Sequence, residues 1–155
     1  MQKSILFDLD GTLTDSSEGI IKCSLHAFSF YGIEIPKEEK STLIGPPLRY
    51  SFAKYGIPES EIENALVRYR ERYLTVGKFE NRPYENIEKT LEKLISAGHR
   101  LFVATCKPEV TSVEILEHFG LSKYFEGICG ATFDKSRDSK SAVIAYLNEK
   151  YSPEI

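Results

Sequence analysis

Residues 4–13 read Ser4-Ile5-Leu6-Phe7-Asp8-Leu9-Asp10-Gly11-Thr12-Leu13. A short apolar run that stops at two carboxylates and a glycine describes a buried strand delivering acids to a turn. Asp8 and Asp10 are two apart, so at a strand end both side chains point the same way. Like charges that close repel, so the pair needs a cation or a raised pKa at one of the two carboxyls. Two hard-oxygen donors beside a glycine that lets the backbone approach a ligand suit Mg²⁺. Taken alone, Asp-x-Asp-Gly fits a metal-free acidic turn equally well.

Downstream, apolar runs of strand length alternate with segments of helical period. Arg100 to Thr105 reads as a second strand, broken by Lys107-Pro108, and Gly127 to Ala131 as a weaker third. Between them, Glu109 to Phe119 places Val113, Leu116 and Phe119 on one helical face, with Gly120 as the stop. Pro83 to Gly98 follows the same scheme, with Pro at the start. Ser139 to Tyr151 predicts a final amphipathic helix. This order predicts an α/β fold with a parallel sheet, whose ligand crevice lies outside the carboxyl ends of the strands. From Asp15 to about Phe79 only helical patterns occur, including Ser16 to Gly32 and a long helix over Glu59 to Val76 around Ile62, Leu66, Tyr69 and Tyr73. The expected organisation is a core of residues 1–14 and 80–155, with an all-helical cap of residues 15–79 inserted after the first strand.

The bulk properties narrow the class. The chain has 155 residues, 41% apolar and 28% charged, which suits a folded globular chain and excludes wholesale disorder. A net charge of −3 carries no electrostatic footprint for nucleic acid or an anionic membrane surface. No apolar run approaches the roughly 18 residues of a membrane span. Three cysteines without close pairing (Cys23, Cys106, Cys129) argue against a disulfide framework and for a reducing cytoplasm.

The whole pattern resembles the haloacid-dehalogenase-like hydrolase superfamily, in its phosphoglycolate-phosphatase type with a helical cap. The resemblance rests on Asp8-Leu9-Asp10-Gly11-Thr12-Leu13-Thr14-Asp15, a strand ending in Thr105 and a lysine opening a later helix. It extends through Ile44-Gly45-Pro46-Pro47-Leu48, Tyr69 to Tyr73 and Glu80 to Tyr84. The fold it implies is a Rossmann-like parallel sheet. The function it implies is Mg²⁺-dependent hydrolysis of a small phosphorylated metabolite, phosphoglycolate or a nucleoside 5′-monophosphate. Asp8 would be the nucleophile that forms an aspartyl-phosphate. Asp10 would protonate the leaving alcohol and then take a proton from water. Gly11, Thr105, Cys106 (through its backbone N–H) and Lys140 would hold the phosphoryl group, and Asp8 with the backbone carbonyl of Asp10 would bind Mg²⁺. Arg49 is the expected specificity residue, because arginine recognises a carboxylate or second phosphate bidentately. The Cys106 side chain is expected to be small and buried, and Lys107 structural or peripheral. Oligomeric state is left open.

One part of the family pattern has no match. After Lys140 the only acids are Glu149 and Glu154, so the acidic Gly-Asp-x-x-x-Asp motif and its strand have no counterpart. Asp134 and Asp138 read as loop acids. The expectation is a core incomplete at its C-terminus, with the edge beside the first strand unpaired. Such a chain would be doubtful as a catalyst, and a non-catalytic phosphatase-like binding protein is the competing reading. A receiver-type signalling domain needs an acceptor Asp on a middle strand, and no Asp lies between Asp15 and Asp134.

Overall fold

A computed structural model describes residues 2–152; Glu154 and the chain end at Ile155, read above, lie outside them. The elements in chain order are β1 (Ser4–Phe7), β2 (Thr14–Asp15), α1 (Ser17–Ser29), α2 (Leu48–Lys54), α3 (Ile62–Thr75), β3 (Arg82–Pro83), α4 (Ile87–Ser96), β4 (Arg100–Pro108), α5 (Glu109–His118), β5 (Gly127–Ala131) and α6 (Lys140–Tyr151). The chain forms two compact units, one of residues up to Asp15 together with those from Arg82 onward, the other Ser16–Asn81.

The first unit is an α/β layer structure. A three-stranded sheet runs in the order β1-β4-β5, with both pairings parallel. Successive residues of β4 serve opposite faces, as strand geometry requires. Leu101 and Val103 join Leu9, Leu13, Leu91, Ile115, Leu116 and Leu121 on one side. Phe102 and Ala104 join Cys129, Val143 and Leu147 on the other. A parallel sheet covered on both faces reads as a continuous apolar run, which explains Leu101 to Ala104. Fully burying a side chain such as Phe102 is worth about 1.5–3 kcal/mol. By contrast β1 has β4 as its one neighbour among the described residues, and Ile5, Leu6 and Phe7 are only half-buried.

Two sequence expectations are corrected here. The strand expected to break at Lys107-Pro108 continues to Pro108, which pairs with Ala131 after a register irregularity that begins at Ala104. Gly130 makes this passage possible, since a Cβ there would lie 2.5 Å from the Lys107 carbonyl oxygen and 2.7 Å from the Glu109 nitrogen. The helix expected from Pro83 begins instead at Ile87. Pro83 sits opposite Thr14 in a two-stranded antiparallel ribbon, β2–β3, where its missing N–H is tolerated at a strand edge. Asp15 faces Arg82 in the same ribbon, and Arg82 Nη2 donates to Asp15 Oδ2 at 2.9 Å.

The second unit is helical around Phe28, Phe52, Ile62, Leu66, Tyr69 and Tyr73. The helix α2 starts at Leu48, directly after Pro46-Pro47. Glu80 ties the unit's two chain ends together: its carbonyl accepts from the Gly19 N–H at 2.8 Å, and its carboxylate takes Arg72 Nη2 at 3.0 Å and Lys22 Nζ at 3.0 Å. Hydrogen bonding from Arg72 dominates, and despite the opposing effect of burial it holds the Glu80 carboxyl down at about 2. A carboxyl depressed on folding contributes stability that is complete above its unfolded value and is lost as pH falls through the folded one. Glu80→Gln is therefore expected to lower Tm near neutral pH by about 3–6 °C, taking roughly 1.5 kcal/mol for the lost charged hydrogen bonds. The difference should close between about pH 4.5 and 2, as read by thermal melts of both proteins across that range.

Candidate active site

Asp8 is the first residue after β1, and its two carboxylate oxygens are held from different directions. The Leu9 amide donates to Oδ1 at 2.8 Å. Lys140 Nζ lies 2.8 Å from Oδ2 and donates to the Ala104 carbonyl at 2.9 Å. Lys140 is the first residue of α6, and the Ser139 hydroxyl caps that helix by accepting from the Ala142 N–H at 3.2 Å. Burial is the largest influence on Asp8 and pushes its carboxyl up. Hydrogen bonds from Lys140, the Leu9 amide and Thr105 together outweigh it and leave the group below its ordinary value. The side chain remains 44% exposed, so the result is an ionised, reachable carboxylate.

The turn that follows explains how Asp10 is presented. The Leu9 carbonyl accepts from the amides of Leu13 at 2.9 Å and of Thr14 at 3.2 Å, and the Gly11 N–H donates to the Thr14 carbonyl at 2.9 Å. Gly11 sits at φ +77°, a conformation that favours glycine. Leu9 and Leu13 are fully buried and anchor the turn in the core. Asp10 projects from it, with Oδ2 accepting from Lys107 Nζ at 2.6 Å. Its Oδ1 is buried and makes no hydrogen bond among the described residues.

Thus the structure places Asp8 and Asp10 just after β1, Thr105 in the C-terminal half of the adjacent parallel strand β4, and Lys140 at the start of α6. Thr105 is 2% exposed, and its Oγ1 also accepts the Lys107 N–H at 3.2 Å. Cys106 corrects an expectation: it is an exposed free cysteine. Alternation along β4 turns it away from the core that holds Thr105. Lys107 is the residue that sequence reasoning missed. Its side chain is only 8% exposed and is engaged with Asp10, which fits the structural alternative of the expectation and not the peripheral one, but its link to Asp10 had no sign in the reading. The signal was available in the period of two, which places residues 105 and 107 on one side of the strand once the strand continues past Thr105.

Arg49 lies in the helical unit and is paired with Glu63. Arg68 pairs with Glu71, and Arg72 with Glu80. Asp134 is occupied within its own loop, where bonds from Thr132 and Ser136 hold it at about 2. Among the described residues, no group of three His, Cys, Asp or Glu is placed to hold a metal ion. The hard-oxygen donors at the site are the carboxylates of Asp8, which is 44% exposed, and of Asp10, whose Oδ1 has no hydrogen-bond partner among the described residues. Mg²⁺ characteristically takes one or two protein carboxylates and completes its octahedron with water and substrate phosphate, so this pair fits it. No helix among the described residues is long and apolar enough to cross a membrane.

The model of the family described as haloacid dehalogenase-like hydrolase matches residues 5–150. A Pseudomonas aeruginosa protein named 5′-nucleotidase is 42% identical, over 93% of this chain and 66% of its own. A Mycobacterium tuberculosis protein named tyrosine-protein kinase PtkA is 41% identical, over 96% of this chain and 51% of its own. An Agrobacterium fabrum protein named phosphoglycolate phosphatase is 33% identical, over 83% of this chain and 58% of its own. The crystal structure of a predicted phosphatase from Clostridium acetobutylicum superposes with a TM-score of 0.86 at 41% identity, over 99% of this chain and 72% of that one. The chain thus spans between about half and two thirds of the length of these curated relatives.

Proposed function

We propose that this chain, which belongs to the haloacid dehalogenase-like hydrolase family, carries the catalytic groups of a phosphomonoester hydrolase acting on a small phosphorylated metabolite. The observation that carries this reading is the Lys140 ammonium set 2.8 Å from the carboxylate of Asp8 at the strand ends. An ionised carboxylate beside a fixed cation suits attack on a phosphoryl group, because phosphoryl transfer depends mainly on positioning and charge neutralisation.

An oxygen of Asp8 bonds to phosphorus, and the bond from phosphorus to the leaving oxygen breaks with its electron pair going to that oxygen. Asp10 supplies the proton that makes the leaving group an alcohol. Water then attacks the phosphorus of the aspartyl-phosphate and gives a proton to Asp10, releasing phosphate and restoring Asp8. Thr105, Lys140 and the backbone N–H of Cys106 orient the phosphoryl oxygens; the Gly11 N–H is taken up by the Thr14 carbonyl, so Gly11 serves the site by shaping the turn. Mg²⁺, held by Asp8 and the Asp10 carbonyl, would supply additional neutralisation of phosphoryl charge.

The helical unit Ser16–Asn81 serves as the cap that sets specificity. Within it, Arg49 would exchange Glu63 for a substrate carboxylate or second phosphate. The Agrobacterium relative's name supports phosphoglycolate, and the Pseudomonas relative's name supports a nucleoside 5′-monophosphate as the second reading. The free cysteines suit a reducing cytoplasm.

The test is phosphate release from phosphoglycolate, a nucleoside 5′-monophosphate and p-nitrophenyl phosphate, with and without Mg²⁺. Release should fall by at least about a hundredfold when the metal is chelated. The higher kcat/KM of the first two substrates decides between the readings. Metal-independent release would reject the Mg²⁺ assignment, and a folded chain with no release would leave a non-catalytic binding protein.

A further inference from the structure

We propose that Lys107 is a positioning residue for proton transfer, holding Asp10 by one oxygen so that the other alone exchanges protons with the leaving group and with water. The inference rests on the reading of Asp8 and Asp10 given above. A carboxylate has two equivalent oxygens, and free rotation about χ2 would present either to the reaction. Here Oδ2 is 2.6 Å from Lys107 Nζ, and the lysine side chain is 8% exposed. The Asp10 side chain is 33% exposed, so it is the buried ammonium that would be left uncompensated without its partner, and this favours the pairing. Oδ1 is enclosed and has no hydrogen-bond partner among the described residues. A buried polar atom left in this way is rare in native proteins and calls for a reason. Proton exchange supplies one: Oδ1 gains its partner when a leaving oxygen or a water arrives.

The backbone explains why one short segment serves both acids. Past Thr105 the strand turns Cys106 outward and Lys107 inward, and the Lys107 N–H donates to Thr105 Oγ1 at 3.2 Å. Thr105 in turn bonds Asp8. The side chain of Thr105 therefore orients the nucleophile while that of Lys107 orients the acid and base. The chemical consequence is selective. Leaving groups that depart as alkoxides need a proton delivered, whereas a nitrophenolate departs without one.

The test compares the full chain with Lys107→Met and Lys107→Arg on phosphoglycolate and on p-nitrophenyl phosphate, with circular dichroism on each sample. Because the later attack of water is common to both substrates, the comparison is made in kcat/KM, which reports the step in which the leaving group departs: Lys107→Met is expected to lower it by about thirtyfold on phosphoglycolate and by less than about threefold on the nitrophenyl ester. Lys107→Arg should restore part of the phosphoglycolate rate. Equal losses on both substrates, or none on either, would overturn the inference while leaving the phosphatase reading intact. No turnover by the folded wild-type chain would overturn both. If Lys107→Met fails to fold, Lys107→Gln makes the same comparison. The pairing has its own readout in the ¹⁵N resonance of the Lys107 ammonium. Slow proton exchange that is lost in Asp10→Asn supports it, and exchange as fast as a surface lysine refutes it.

Discussion

Asp8→Asn is expected to lower phosphomonoester turnover by at least about a thousandfold without unfolding the chain. The amide carries no charge to attack phosphorus. It also disturbs the local pairing, since Asp8 accepts from the Leu9 amide at one oxygen and meets the Lys140 ammonium at the other. An asparagine offers one acceptor, so its NH₂ must face one of these donors. The lost hydrogen bond costs about 1 kcal/mol, and a side chain 44% exposed can satisfy the displaced groups with water. Acid quench of the enzyme mixed with labelled substrate should trap a phosphorylated protein from the parent chain and none from the variant. Retention of more than about a tenth of the turnover would show that another group attacks.

Lys140→Met should lower turnover by about 10²–10³-fold, the range found when one preorganised donor is removed from a transition-state charge. It should also move the pH profile. Lys140 is the strongest of the influences that lower the Asp8 carboxyl. Without it, burial acts with less opposition and the carboxyl rises, so the acid limb of the rate profile shifts to higher pH. The stability linkage has the matching sign. The Asp8–Lys140 pair contributes above the unfolded carboxyl value, and its contribution is lost as pH falls through the depressed folded value. An unchanged acid limb in Lys140→Met would mean that the ammonium does not act on Asp8 in solution.

Much of the architecture was legible because it rests on short-range periodicities. The run Ser4 to Asp10 announces a strand ending in acids, and Glu109 to Gly120 announces a helix by its spacing and its stop. Asp8 and Asp10 stand out where the first strand ends, whereas Thr105 and Lys140 were singled out only through the family resemblance, Thr105 lying inside β4 and not at its end. The two misread element boundaries share one cause, proline treated as punctuation whatever its surroundings. At Pro108 the irregular pairing beside Gly130 lets the strand continue, and at Pro83 a strand edge tolerates the missing N–H. The first error hid Lys107, because stopping the strand at Thr105 removed the alternation that turns the lysine inward. Contacts between distant residues leave no local trace. Neither Arg72 with Glu80 nor Arg49 with Glu63 is marked by spacing, since each joins separate elements.

The ribbon β2–β3 has an evolutionary consequence. Asp15 and Arg82 face each other, so the polypeptide departs and returns at neighbouring positions. To the sheet, everything between them is a single excursion from a hairpin whose stem is already closed. The entropy of joining two fixed ends grows only with the logarithm of the intervening length. Genetic exchange at this seam can therefore substitute, enlarge or trim the inserted segment while leaving strand register and the acids of the neighbouring turn undisturbed.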